Sequence, residues 1–186
     1  MPYQVMQQYI VAATTRGFIL VNQQTAHERV LYDRYAEAGH GTSIASQRSM
    51  FPVTLQLSAQ DKVLLEELIP DLNQLGYLIE PFGRDTYAIQ GTPADLEQGN
   101  EKSAIENILE QFKHFSSDIK FSKREKLIRT MAAQHAIKPG KTLNQSEMTT
   151  LITQLFNTMQ PNVNASGAPT YIEFRKDYLE QLFKRQ

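Results

Sequence analysis

Apolar positions along this chain follow two periods. Residues 9–14 and 18–21 are short runs of aromatic, β-branched and aliphatic side chains around Thr-Arg-Gly, which predicts a β-hairpin. Both runs are apolar at successive positions, as strands buried on both faces are. A helix is predicted over 24–38, ended by the Gly- and Ser-rich stretch 39–46 that holds His40. A strand over 50–58 follows. Ser58 then stands as the N-cap of a long helix with Leu64, Leu68, Leu72 and Leu75 on one face. Pro70 is expected to kink that helix. Two strands over 77–93 turn at Gly83-Arg84-Asp85.

The helical period returns at Ile105, Ile108, Leu109 and Phe112. A basic link over 116–126 leads into a helix over 122–137, with Leu127, Ile128, Met131 and Ala132 on one side and Pro139-Gly140 at its end. Asn144 and Glu147 outline a capping box. The helix they open has a wide apolar stripe of Met148, Leu151, Ile152, Leu155, Phe156 and Met159. A loop over 160–170, a strand over 170–174 and a short helix over 175–185 complete the pattern. No repeat and no low-complexity segment interrupts it. The order β-β-α, β-α-β-β-α, α-α-β-α predicts an α+β fold of two lobes. The outer lobe takes residues 1–51 and 128–186, and residues 52–127 are inserted into it.

Composition narrows the function classes. The chain has 186 residues, 19 basic and 20 acidic, for a net charge of −1. That balance disfavours a plain DNA-binding module, which needs a clustered basic face. The absence of cysteine excludes disulfides, thiol nucleophiles and Cys-ligated metal. No apolar run approaches the roughly 20 residues of a membrane span. The first residues lack a signal-peptide layout, and a strand begins almost at once, as in a piece of a longer protein. There is no Gly-rich phosphate loop and no G-x-S-x-G elbow.

The chemistry concentrates at one strand-to-helix junction, where Asn22, Gln23, Gln24, Thr25, His27, Glu28 and Asp33 crowd together. A His and two carboxylates within seven residues have the outline of a metal site. The stretch LVNQQTAHERVLYDRY, with AAQHAIKPGKTLNQSEM, LGYLIEPFGRDTYAI and SGAPT, resembles the C-terminal domain of the MutL family of DNA mismatch-repair proteins. The resemblance covers nearly the whole chain in order. It implies a homodimerisation lobe with an inserted regulatory lobe, in a bacterial cytoplasmic protein that joins the nucleoid during repair. It also implies an N-terminal ATPase with a DNA-binding groove, not contained in this chain. One branch of the family adds a metal-dependent endonuclease; another relies on a separate nuclease.

The same resemblance places the nuclease branch's ligands. Its Asp, His and Glu at the helix start fall on Asn22, Gln24 and Glu28. Its Cys on the later helix falls on Ala133. The Cys, His and Arg of its CPHGRPT loop fall on Asn164, Ser166 and Ala168, leaving Gly167 and Pro169 to shape the backbone. Positions 24 and 28 share one helical face, but an amide is a poor zinc ligand. The expectation is a degenerate site: no catalytic residue, no metal, no cofactor. The alternative is a divergent metal-dependent endonuclease with ligands drawn from His27, Glu28, Asp33 or His135. His40 and His114 read as loop and surface residues.

Three surfaces complete the expectations. Gln47, Met50, Phe51 and Pro52 resemble the family's sliding-clamp-binding motif, in which a Gln amide enters a polar notch and apolar residues fill a groove. The alternative is a loop that starts the next strand. Ile10, Val11, Phe18, Leu20, Leu155 and Phe156 are the expected dimer interface, since a sheet covered on one face needs a partner on the other. Lys120, Lys123, Arg124, Lys126, Arg129 and Lys138 outline a weak DNA-backbone contact or a solvated helix start. A mismatch-recognition protein and a separate nuclease are implied partners of the full-length protein; no membrane is.

Overall fold

The computed structural model describes residues 1–38, 43–94, 96, 99–115 and 121–184. His40 and the neighbouring loop at 39–42, and residues 116–120 of the basic link with Lys120, lie outside the described residues. In chain order the elements are β1 (Tyr3–Val5), β2 (Tyr9–Thr14), β3 (Gly17–Asn22), α1 (Gln23–Glu37), β4 (Ser46–Gln56), α2 (Ala59–Gln74), β5 (Leu78–Pro81), β6 (Thr86–Pro93), α3 (Glu101–Phe115), α4 (Lys123–His135), α5 (Gln145–Phe156), β7 (Tyr171–Arg175) and α6 (Lys176–Phe183). The fold is α+β, with two antiparallel sheets. The chain divides into two compact units, Met1–Asp33 with His135–Gln186, and Arg34–Gln134. The boundary expected after residue 51 falls inside β4, which pairs with β6 through both of its halves.

The first unit is built on a sheet of order β1-β2-β3-β7. The hairpin turns at Thr15-Arg16, with Thr14 opposite Gly17. Gly17 is required there by close approach, because a Cβ would stand 2.1 Å from the Phe174 carbonyl oxygen on β7. Strand side chains alternate between faces. Ile10, Val21, Ile19 and Ala12, which are cross-strand partners, therefore share one face. Ile10, Ile19 and Val21 pack with Ala26 of α1, with Leu143, and with Met148, Leu151 and Leu155 of α5. The capping box forms: Glu147 N–H donates to Asn144 Oδ1 (3.0 Å) and Asn144 N–H to Glu147 Oε2 (2.7 Å). It satisfies two N–H groups at the start of the helix that covers this face.

β1 is an addition to the expected elements. Three residues are too few to display a period, and the strand exists through its pairing with β2.

The second unit holds a sheet of order β4-β6-β5, with α2 and α3 packed on it and on each other. β4 begins at Ser46, earlier than its apolar residues predict, because Ser46, Gln47 and Arg48 pair with Pro93, Thr92 and Gly91. Ser58 caps α2 by accepting from Asp61 N–H at 3.1 Å. The buried ridge of α2 is Leu65, Leu68 and Leu72, continued by Leu75; Leu64 is only half-buried. Leu64 and Leu65 flank the same helical face, and packing selects the second. Pro70 lies inside α2, and the helix runs on to Gln74.

Candidate functional site

The helix junction holds together through amides. Asn22 Oδ1 accepts from the N–H groups of Gln24 (3.0 Å) and Thr25 (3.3 Å), so this side chain caps the start of α1. Gln24 and Glu28 stand one turn apart, and Gln24 Nε2 donates to Glu28 Oε1 at 3.1 Å. Asn164, from the loop before β7, donates its Nδ2 to Glu28 Oε2 at 2.5 Å. The carbonyl of the same amide accepts from Ser166 N–H (3.0 Å) and Ala168 N–H (2.8 Å). Thr25 Oγ1 donates to the Pro169 carbonyl at 2.9 Å. The fold brings Asn22, Gln24, Glu28, Asn164 and Ser166 together. Both Glu28 oxygens receive N–H groups. Ala133 belongs to the second unit, and its side chain is a methyl group with no donor atom for a metal.

The other candidate ligands are engaged separately. His27 Nδ1 accepts from Ile137 N–H at 3.0 Å, which leaves Nε2 as the protonated nitrogen of the neutral ring. Burial, and then the charge of Lys138, push His135 down to about 4. Asp33 forms an ion pair with Arg29 and accepts from Met159 N–H (3.0 Å). Among the described residues no three His, Asp or Glu side chains converge on one point. His114 sits at the surface, 3.5 Å from Glu110.

One buried side chain of the junction has a role that its sequence does not signal. Gln23 is fully buried and donates Nε2 to the carbonyls of Gln7 (2.9 Å) and Lys138 (3.0 Å), while its Oε1 accepts from Gln4 Nε2 (2.6 Å). Met6 and Gln7, in the turn between β1 and β2, adopt φ of 54° and 48°. That backbone is sparsely populated by residues other than glycine. The Gln23 amide and the Gly140 N–H, which donates to Gln7 O at 2.8 Å, hold the turn in place.

The opposite face of the first sheet is apolar and open. Tyr3, Val11, Leu20 and Ile172 form one row across the four strands; Ala13, Phe18 and Phe174 form the next. None of these seven is buried, and Ile172 is 55% exposed. Phe18 and Phe174 stack at 4.9 Å between centroids. A hollow of about 200 Å³ on this face is lined by Tyr9, Leu20, Asn22, Pro169 and Ile172. α6 has no buried residue, although Tyr178, Leu179, Leu182 and Phe183 give it an apolar side and Phe183 is 84% exposed. Of the expected interface residues, Val11, Phe18 and Leu20 lie on this open face. Ile10 and Leu155 do not: both are 0% exposed and belong to the core on the other side. Phe156 is partly exposed, with its ring 5.2 Å from that of Tyr171. The alternation of Ile172 and Phe174 with Tyr171 and Glu173 was the available signal for the residues that the expectation missed.

On the second unit, β4 changes register between Arg48 and Val53, and residues 49–52 leave the ladder. Met50 is 89% and Phe51 81% exposed. Gln47 stays in the ladder, and its Nε2 lies 2.5 Å from the Leu96 carbonyl and 3.3 Å from that of Pro93. Three of the cations expected to form a basic patch are paired within this unit. Lys123 pairs with Glu67 (2.5 Å), Arg124 with Asp71 (2.6 Å) and Arg129 with Glu125 (2.7 Å), and Lys126 is buried.

No helix among the described residues is long and apolar enough to cross a membrane. Comparison with known proteins places this architecture. The family described as the MutL C terminal dimerisation domain matches residues 3–143. The DNA mismatch repair protein MutL of Chlorobium phaeobacteroides is 33% identical over 184 residues, which cover 99% of this chain and 30% of that protein. The MutL proteins of Prosthecochloris aestuarii and Chlorobium chlorochromatii are 32% and 30% identical over 184 residues, covering 99% of this chain and 30% and 29% of theirs. The chain thus spans about 30% of the length of these relatives. With an open apolar sheet face in its first unit and a match through most of its length, this chain belongs to the MutL C-terminal dimerisation domain family.

Proposed function

We infer that this chain joins two copies of a mismatch-repair protein through the open face of its first sheet and the apolar side of α6. The observation that supports this most is the row Tyr3, Val11, Leu20, Ile172: four apolar side chains in register, with none buried. Water against such a face is unfavourable, and a two-fold partner presenting the same face removes it on both sides. A stable contact of this kind buries on the order of 1,600 Å² in total. In the full-length protein the dimer tethers two ATPase arms around DNA, and cutting falls to a separate nuclease directed with a mismatch-recognition protein. Sedimentation equilibrium tests the dimer. The chain is expected to sediment at twice its 21.2 kDa, and Leu20→Asp with Ile172→Asp at the protomer mass with unchanged circular dichroism. A protomer mass for the unaltered chain at a loading on the order of 100 μM would overturn the reading.

The amide-filled junction is inferred to hold no catalytic metal. A zinc or manganese ion needs several anionic or imidazole donors. Here N–H groups of Gln24 and Asn164 point at the one remaining carboxylate, where they oppose a cation. Asn22 and Asn164 also spend their carbonyl oxygens on backbone N–H groups. The competing reading, a divergent endonuclease using His27, Glu28, Asp33 or His135, predicts calorimetric heat on titrating zinc or manganese, with micromolar affinity and one site per chain. The inferred outcome is no binding at millimolar metal.

The exposed Met50 and Phe51 support a third element, docking to a sliding clamp with an apolar groove. The paired cations of α4 argue against a DNA contact from this helix.

A further inference from the structure

β7 is the edge strand that completes the open face, and apolar packing inside its own unit does little to decide which way its side chains point. On the core side, Tyr171 packs against the cluster while Glu173, opposite Ile19, is exposed. Ile172 and Phe174 stand opposite Leu20 and Phe18 on the open side. A slip of one residue against β3 would turn Ile172 and Phe174 toward the core and put Glu173 in the open row. Hydrophobic burial within the protomer does not oppose that slip. We propose that a polar clasp between Glu28 and Asn164 locks the register of β7 and so makes the open face competent to meet a second copy. The inference rests on the dimer reading given above and names the residues that position its surface.

Three observations carry it. First, the loop before β7 is closed on itself. Val163 bridges Pro169, Asn164 N–H donates to the Ala168 carbonyl (2.9 Å) and Thr170 N–H to that of Asn162 (3.1 Å). The Asn164 side-chain carbonyl collects the N–H groups of Ser166 and Ala168. Thr170 is fully buried, donates its hydroxyl to the Pro161 carbonyl, and leads directly into Tyr171 at the start of β7. Second, this loop is tied to the start of α1. Asn164 Nδ2 donates to Glu28 Oε2 (2.5 Å) and Thr25 Oγ1 to the Pro169 carbonyl (2.9 Å). Gln24 Nε2 holds the other Glu28 oxygen at 3.1 Å and so aims the carboxylate. Asn164 is only 6% exposed, and loss of its acceptor would leave a buried N–H group unpaired. A bond from an amide to a carboxylate is also stronger than one between neutral groups. Third, the clasp sits at one end of the ladder. Asn22 N–H donates to the Thr170 carbonyl (2.9 Å), just beyond the Val21–Tyr171 pair. Where the loop holds Thr170 therefore sets which residue of β7 meets which residue of β3. Glu28 and Asn164 are positioning residues; Ile172 and Phe174 are the contacts.

The test uses the 186-residue chain, with self-association read by dilution in the analytical ultracentrifuge and β7 read by hydrogen exchange. Glu28→Gln replaces an acceptor by an amide between two amide donors. Asn164→Asp sets two carboxylates against each other. Each is expected to weaken self-association by about tenfold or more and to speed exchange at residues 171–175. Combining the two substitutions reverses the clasp, with the new amide donating and the new carboxylate accepting. That double variant is expected to return to within about threefold of the unaltered chain. Single variants that stay within about threefold, or that weaken association with no change in exchange at 171–175, overturn the clasp and leave the dimer reading standing. So does a double variant as weak as the singles. An unaltered chain that sediments at the protomer mass overturns the dimer reading itself. Exchange in the unaltered chain needs no variant. The amides of Ser166 and Ala168 and those of β7 that pair with β3 are expected to open together, with similar protection. Loop amides that exchange freely while β7 stays protected would sink the proposal.

Discussion

The two faces of the first sheet are made from the same strands and are nearly equally apolar, yet they have opposite fates. One face, with Ile10, Ile19 and Val21, is sealed by α1 and α5. The other, with Val11, Leu20 and Ile172, has no cover within its unit. Neighbours in sequence such as Ile10 and Val11 thus differ in their surroundings, one packed under this chain's own helices and one left open within its unit. Strand periodicity says that both faces are apolar. It does not say which face the chain can cover by itself.

Substitutions at adjacent residues separate the two faces most sharply. Ile10→Ala empties a closed core and is expected to cost about 2–5 kcal/mol in urea unfolding. Val11→Ala, on the open face, is expected to change the unfolding of the separated protomer by less than about 1 kcal/mol and to act on association instead. Equal losses at both positions would dissolve the distinction. Next in size, replacing Leu182 and Phe183 of α6 by Ser is expected to weaken self-association by about 2–3 kcal/mol, measured by dilution, with protomer unfolding unchanged.

Acid should lower stability through His135. His135 is held at about 4 in the fold, against an ordinary value near 6.5 when unfolded. The unfolded chain therefore binds this proton first. Stability from the neutral ring is complete above about pH 6.5 and falls as pH drops toward 4, by about 1–3 kcal/mol for a partly buried group. His135→Gln is expected to remove that part of the slope, read as the difference between the two urea-unfolding profiles. The smallest effect is Asn144→Ala at the cap of α5, expected to cost about 1 kcal/mol because the covering helix loses a partner for its first N–H groups.

Legibility in the sequence tracked how local each determinant is. Ser58 and the Asn144–Glu147 capping box act over three residues, and both form as written. The hairpin at Thr15-Arg16 is equally local. β1 and the start of β4 were not legible, since polar or three-residue strands exist only through a partner strand. The junction was legible as a cluster, because Gln24 and Glu28 stand one turn apart on a helix. That Asn164 would reach Glu28 across 136 residues could be placed only through the resemblance. Gln23 gave no local signal at all: its burial is decided by the Gln7 and Lys138 carbonyls, 16 and 115 residues away.

By itself the amino-acid sequence determined the α+β class, the caps and turns, and the sharing of one helix junction by Asn22, Gln24 and Glu28. These follow from backbone geometry and spacing within a few residues. The tertiary structure alone decided that Ile10 and Leu155 belong to the core while Leu20 and Ile172 face outward. It also decided that the amide of Gln47 turns inward while Met50 and Phe51 turn out. The physical reason is common to both: exposure is set by which distant segment arrives to cover a side chain, and a linear pattern of apolar residues carries no record of that arrival.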